Sequence, residues 1–151
     1  YVSSIKDVIM FRFLTMVYMA FFILACSKDN EKSKENCGVN TVCTQNYVTI
    51  GVTIEDTSSV KIVLDSYKVI DITTKEDLTI PYSREEFENY RDTGYYPIFS
   101  DAYRVQYQNS KVTISFIGYI SDNEVVTEEF IVGADCCHVS LFSGNTKIVL
   151  D

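Results

Sequence analysis

Apolar and polar side chains alternate along YVTIGVTIE, Tyr47–Glu55. The apolar members are Val48, Ile50, Val52 and Ile54. Side chains two residues apart point to the same face of a β-strand, so these four would line one face and the threonines the other. The stretch therefore predicts a half-buried strand whose aliphatic face is turned toward a core.

Similar runs, bounded by polar turn residues, recur along the rest of the chain. They lie at Val60–Leu64, Tyr67–Ile72, Leu78–Ile80, Val112–Ile120, Val125–Val132, Val139–Phe142 and Thr146–Leu150. The last four runs predict two hairpins, one across Ser121–Glu124 and one across Ser143–Asn145. One short helix is predicted at Ser83–Arg91, because Ser83 and Glu86 have the spacing of a capping box. About seven short strands at regular intervals predict an all-β fold, a single antiparallel β-sandwich of the immunoglobulin-like kind with one helix.

An apolar run near the N-terminus, Phe13–Ala25, is interrupted only by a threonine. As a helix of about 13 residues it would be roughly 20 Å long, whereas the hydrocarbon core of a bilayer is about 30 Å thick. A membrane-spanning helix is therefore not expected, and the lack of a polar face argues against a core helix. Arg12 before the run and the small Ala25 at its end are typical of a signal peptide, which we place at residues 1–25. The candidate translation starts are Met10 and Met16, which leaves Tyr1–Ile9 outside the predicted fold.

The apolar run ends at Ile23–Cys26, ILAC, which resembles a bacterial lipobox. A lipobox is cleaved before a cysteine that carries lipid, and two or three acyl chains anchor a protein stably where one chain does not. Cys26 is therefore the predicted lipidation site. The alternative is ordinary cleavage after Ala25, with Cys26 paired elsewhere. Residues 26–42 are predicted to be the lipidated cysteine and a polar tether that does not fold by itself.

Two features next to Cys26 bear on the location of the protein. Ser27 is typical of outer-membrane delivery, and Lys28–Glu31, KDNE, is similar to the surface-export signal of Bacteroidota lipoproteins. We expect a lipid-anchored outer-membrane protein exposed on the cell surface; the alternative is a periplasm-facing domain on a solvated tether. Cleavage after Ala25 leaves a net charge of −9, from 11 basic and 20 acidic side chains, which disfavours nucleic acid as a partner.

The segment Val63–Val69 with the turn after it, and the segment Ala134–Gly144, which contains a distinctive Cys-His-Val motif, look like parts of small Bacteroidota lipoproteins. The resemblance implies a transthyretin-like or carboxypeptidase-regulatory-like β-sandwich over residues 43–151. It implies no catalytic residues, and such a fold alone says little about function.

Once Cys26 carries lipid, the four remaining cysteines allow three pairings. The pair Cys43–Cys137 is favoured because Cys137 belongs to the Cys-His-Val motif that carries the resemblance, and Cys37–Cys136 is then the second pair. These cysteines and His138 are also candidate zinc ligands. However, adjacent cysteines on a strand point to opposite faces, and exported thiols form disulfides, so neither a metal nor another cofactor is expected.

Five other side chains are candidates for catalysis or metal binding. His138, the only histidine, either belongs to a Cys-His catalytic pair or packs beside a disulfide. Glu85, Glu86 and Glu88 are either the paired acids of a glycosidase-like site or the solvated face of a short helix. Asp135 is either a calcium ligand or a turn cap.

Six tyrosines crowd into the segment with the least regular strand pattern. They are Tyr82, Tyr90, Tyr95, Tyr96, Tyr103 and Tyr107. Aromatic rings with a polar tip suit a surface that binds a glycan or a protein; the alternative is packing over the core. The predicted function is a non-catalytic binding or accessory module, held to the membrane by lipid, with a protein or glycan ligand. The alternative is a small secreted hydrolase that uses paired carboxylates.

Overall fold

The computed structural model describes Cys37, Gly38 and residues 40–151. The predicted signal peptide, Cys26 and the KDNE motif lie outside these residues. The described part forms seven strands and one short α-helix, which confirms the all-β fold. The strands are β1 (Thr49–Asp56), β2 (Ser66–Asp71), β3 (Tyr95–Ser100), β4 (Ser110–Ile120), β5 (Asn123–Ala134), β6 (Val139–Ser143) and β7 (Lys147–Leu150). No helix in this part of the chain has the length and hydropathy of a membrane span.

The strands form two sheets, one of three strands in the order β3-β1-β7 and one of four in the order β2-β4-β5-β6. All neighbouring strands are antiparallel except β1 and β7, which are parallel. Side chains of both sheets meet in one core: Val52 and Ile98 from the first sheet and Ile114 and Phe130 from the second are essentially fully buried.

The predicted alternation along β1 is confirmed. Val52 and Ile54 are fully buried, and Val48 and Ile50 are partly buried against the same core. The predicted β4–β5 hairpin is also present, and its two turn residues, Ser121 and Asp122, have φ angles of 50° and 61°. Positive φ at both turn residues gives the backbone the twist that matches two antiparallel strands.

The helix, α1 (Arg84–Thr93), begins where the capping box predicts. The Ser83 hydroxyl accepts a hydrogen bond from the N–H of Glu86, and the Glu86 carboxylate accepts one from the N–H of Ser83. The helix ends at Gly94, whose φ of 67° is left-handed and costs a glycine little. Both ends of the helix are therefore encoded locally.

Two predicted strands are absent. Val60–Leu64 and Leu78–Ile80 follow turns and run beside β1 and β2, but next to each only one isolated bridge forms, Glu55 with Lys61 and Ile70 with Asp77. Each segment contributes one leucine, Leu64 or Leu78, that is fully buried in the core. These leucines pack into the core although the segments around them do not extend a sheet, and Val60 and Val63 remain exposed.

The predicted hairpin of the last two strands is wrong. Both strands form, but β6 pairs with β5 whereas β7 pairs with β1 in the other sheet. The link between them contains Gly144 at a φ of 116°, packed against the ring of Phe130. At this exposed link the chain passes from one sheet to the other, so Val139 of β6 and Ile148 of β7 are buried in the core from opposite sheets.

Candidate functional site

The segment before β1 is tied to the connection between β5 and β6 by two disulfides. Cys37 is bonded to Cys136 and Cys43 to Cys137, as favoured from the sequence. The sulfurs are thus unavailable as the thiolate ligands of a zinc site. In the described part of the chain, no group of three or more histidine, cysteine or acidic side chains is placed to hold a metal ion.

Beside the second disulfide lies a chain of three side chains, here called the Thr44–His138–Asp101 network. Thr44 Oγ1 lies 2.7 Å from His138 Nε2, and His138 Nδ1 lies 2.8 Å from Asp101 Oδ2. Both distances are within the range of good hydrogen bonds. The imidazole is therefore held at both ring nitrogens.

Asp101 is held in its charged form. Its side chain is only 10 % exposed, and burial alone would raise the pKa of the carboxyl. Hydrogen bonds from the His138 ring and from the backbone N–H groups of Val48 and Val139 outweigh burial and lower its pKa below the ordinary value. A carboxylate only accepts hydrogen bonds, so Nδ1 carries a proton, and in the neutral imidazole Nε2 accepts from the Thr44 hydroxyl.

The backbone around His138 is fixed by Asp135. Asp135 Oδ1 accepts hydrogen bonds from the N–H groups of Cys137 and His138, at 2.6 and 2.8 Å. These bonds lower the pKa of the Asp135 carboxyl. Of the two roles considered from the sequence, calcium ligand and turn cap, Asp135 has the role of a turn cap. On the other side, Arg104 Nη1 donates to the carbonyl of Cys136 at 2.6 Å.

Thr44 reaches solvent, whereas its two partners are largely covered. Thr44 is exposed, and the His138 side chain is 23 % exposed. Tyr47 holds the segment farther along, because its hydroxyl lies 3.0 Å from Ser100 Oγ at the end of β3. The network therefore presents one hydroxyl at the surface on a backbone fastened at several points.

The six tyrosines do not form one binding surface. Tyr96 is fully buried and Tyr107 is 8 % exposed, so the interpretation as a surface is wrong for these two. Three others, Tyr82, Tyr90 and Tyr103, are partly buried against the core, and only Tyr95 is exposed. These tyrosines do not form a binding surface because their rings pack against other aromatic rings, which covers the ring faces on which a ligand would stack. Tyr82 stacks on Phe87 of α1 with ring centroids 4.9 Å apart, and Tyr103 on Phe99 at 5.4 Å.

The glutamates of α1 are exposed and two of them are already engaged. Glu86 Oε2 accepts the N–H of Ser83 at 2.7 Å, and this bond lowers the pKa of Glu86. Glu88 forms an ion pair with Arg91 at 3.3 Å. Glu85 lies in the first turn of the helix, where a negative side chain interacts favourably with the positive end of the helix dipole.

Sequence reasoning singled out His138 but neither of its partners. Asp101 was missed because β3, which ends immediately before it, shows no alternation. Thr44 could have been found, because it follows Cys43 as His138 follows Cys137, so the favoured disulfide brings the two residues together. No protein-family model matches the chain, and no curated protein and no solved structure matches it at a significant level.

Proposed function

We propose that this chain is a lipid-anchored module of the cell envelope that displays a disulfide-linked β-sandwich as a binding or accessory domain. The observation that carries the proposal is the use of the cysteines. The two disulfides take up Cys37, Cys43, Cys136 and Cys137, and the sequence contains one further cysteine, Cys26. That residue ends the ILAC motif and stands directly before the polar tether.

The disulfides also support an exported protein. Disulfides persist in oxidising compartments such as the bacterial periplasm and the cell surface, and are rare in the cytosol. The predicted signal peptide leads to the same compartment. The first disulfide begins at Cys37, eleven residues after Cys26 in the sequence, so a short tether would hold the domain close to the membrane.

A binding or accessory role is supported by what the domain's acidic side chains do. Two of the three candidate hydrolase carboxylates on α1 serve other contacts, because Glu86 caps the helix and Glu88 pairs with Arg91, so no unengaged pair remains among the three. The strongly negative mature chain favours a protein or glycan partner over nucleic acid. The resemblance to Bacteroidota lipoproteins supports the lipid anchor.

Metabolic labelling with an alkynyl fatty acid tests the anchor. The wild-type chain should incorporate the label and a Cys26→Ala variant should not. A variant lacking the Cys43–Cys137 disulfide serves as the control, because it also loses sulfur but should keep the lipid. Equal labelling of the wild type and Cys26→Ala would contradict the proposal.

A further inference from the structure

The Thr44–His138–Asp101 network has the arrangement of an activated nucleophile. We propose that Thr44 is a nucleophile toward activated acyl groups, such as esters or thioesters, with His138 as its general base. This inference goes beyond the anchored module and does not rest on lipidation of Cys26. It gives the displayed domain a chemical activity at its N-terminal corner.

The order of the three groups carries the inference. A hydroxyl is hydrogen-bonded to Nε2 of an imidazole, and the Nδ1 proton of that imidazole is bonded to a buried carboxylate. Nucleophilic catalysis needs a base within about 2.6–3.2 Å of the nucleophile and a third group that orients the base. The two observed distances, 2.7 and 2.8 Å, satisfy both conditions. Asp101 acts here as a positioning residue, because it touches the imidazole and not the acyl group.

The backbone holds these groups in place before any substrate binds. The Cys43–Cys137 disulfide joins the two residues that immediately precede Thr44 and His138. Asp135 fixes the backbone of His138, and Asp101 is itself fixed by two backbone N–H groups. A covalent link next to both reacting residues is the kind of support that keeps a site within the small tolerance that catalysis requires.

An acyl group can reach the hydroxyl. Thr44 is exposed, and Val42 and Tyr47, two and three residues from it in the sequence, are also exposed and carry large apolar surfaces. Within the described residues, the backbone N–H of Gln45 donates to no protein acceptor. The N–H of the residue after the nucleophile is a common donor to the oxyanion in hydrolases.

The chemistry balances without a further reactant except water. Thr44 Oγ1 forms a bond to the acyl carbon while its proton passes to His138 Nε2. The bond from that carbon to the leaving oxygen or sulfur breaks, and the leaving group takes the proton from Nε2. The oxygen of a water molecule then bonds to the acyl carbon while its proton passes to Nε2. The bond from that carbon to Thr44 Oγ1 breaks, Oγ1 takes the proton back from Nε2, and the free acid leaves.

The test uses p-nitrophenyl acetate and the full-length protein with its disulfides intact. Acetylation should appear on Thr44 by peptide mass mapping, together with release of nitrophenolate. A His138→Gln variant keeps a polar side chain of similar reach but removes the base, and its acetylation rate should fall by about a hundredfold or more. Thr44→Ser should remain reactive, Thr44→Val should not, and Thr57→Val, which removes an exposed turn hydroxyl, should leave the rate unchanged.

Three readouts separate this proposal from a merely structural network. Disulfide mapping and circular dichroism establish that each variant is folded, and the downfield NMR signal of the His138 Nδ1 proton reports its bond to Asp101. Acetylation of Thr44 no faster than of Thr57, an unchanged rate in His138→Gln, or acetyl found only on His138 would each overturn the proposal. The Cys26→Ala variant should react like the wild type, so failure of the lipid anchor is distinguishable from failure of this site.

Discussion

The two disulfides should stabilise the domain in a strongly non-additive way. They join cysteines that are 99 and 94 residues apart, yet Cys136 and Cys137 are adjacent and Cys37 and Cys43 lie only a few residues apart in the sequence. Either one alone closes a loop of nearly 100 residues, which restrains the unfolded chain by about 4.7 kcal/mol in the chain-entropy account. Once one disulfide is present, the other closes only a small ring.

That small ring sets the magnitude of the effect. It runs from Cys37 to Cys43 and returns through Cys136 and Cys137, about nine residues, and its closure is worth about 2.6 kcal/mol in the same account. Replacing either cysteine pair with alanine should therefore lower the free energy of unfolding by about 2.6 kcal/mol. Replacing both pairs should lower it by about 7.3 kcal/mol, so the coupling between the pairs is about 2 kcal/mol.

Urea unfolding of the four proteins measures this cycle. The chain has no tryptophan and 11 tyrosines, so tyrosine fluorescence and far-ultraviolet circular dichroism are the signals. The loss of about 7.3 kcal/mol is comparable to the whole stability of many domains, so all four titrations contain the same concentration of a stabilising osmolyte. The reasoning is refuted if the variant that lacks both disulfides loses no more free energy of unfolding than the two single-disulfide variants lose in sum.

Three further predictions concern the core, acid stability and sorting. Gly118→Ala should lower the free energy of unfolding by about 1–3 kcal/mol in urea titrations, because the added Cβ would lie 2.6 Å from Val126 and 2.7 Å from Leu64. The control is Gly38→Ala, which should be nearly neutral because its added Cβ would meet no atom within 4 Å. Burial alone would raise the pKa of Asp71, but hydrogen bonds from Thr74, Thr73 and Tyr107 lower it below the ordinary value. The ionised Asp71 side chain then stabilises the fold fully above the unfolded pKa of about 3.9, and this stabilisation is lost as the pH falls through the folded pKa. The difference in free energy of unfolding between wild type and Asp71→Asn should therefore shrink below about pH 4. A difference that widens there contradicts the assignment. Changing Lys28, Asp29 and Glu31 to alanine should leave the domain lipidated and folded but protected from protease added to intact cells, and a wild-type domain that itself resists the protease argues against surface display.

Local sequence signals account for much of the fold. Alternation along Tyr47–Glu55 predicts β1 and its buried face, because a strand with one solvent-facing side has an apolar side chain at every second residue. The capping box at Ser83 and Glu86 predicts the start of α1, because both of its hydrogen bonds join residues three apart. The disulfide pairing followed from a resemblance in the Cys-His-Val motif, so no local rule supplied it.

Which strands become neighbours is decided only by the tertiary structure. The run at Thr146–Leu150 predicts a strand that returns in a hairpin beside β6, but β7 pairs with β1 of the other sheet, where Ile148 is buried in the shared core. The sequence does not predict β3, because every residue of Tyr96–Ser100 is buried and a strand buried on both faces shows no alternation of apolar and polar residues. The Thr44–His138–Asp101 network has the same origin. Its members are distant in sequence, and their contacts arise only when β3 and the Cys43–Cys137 disulfide bring three chain segments to one corner of the domain.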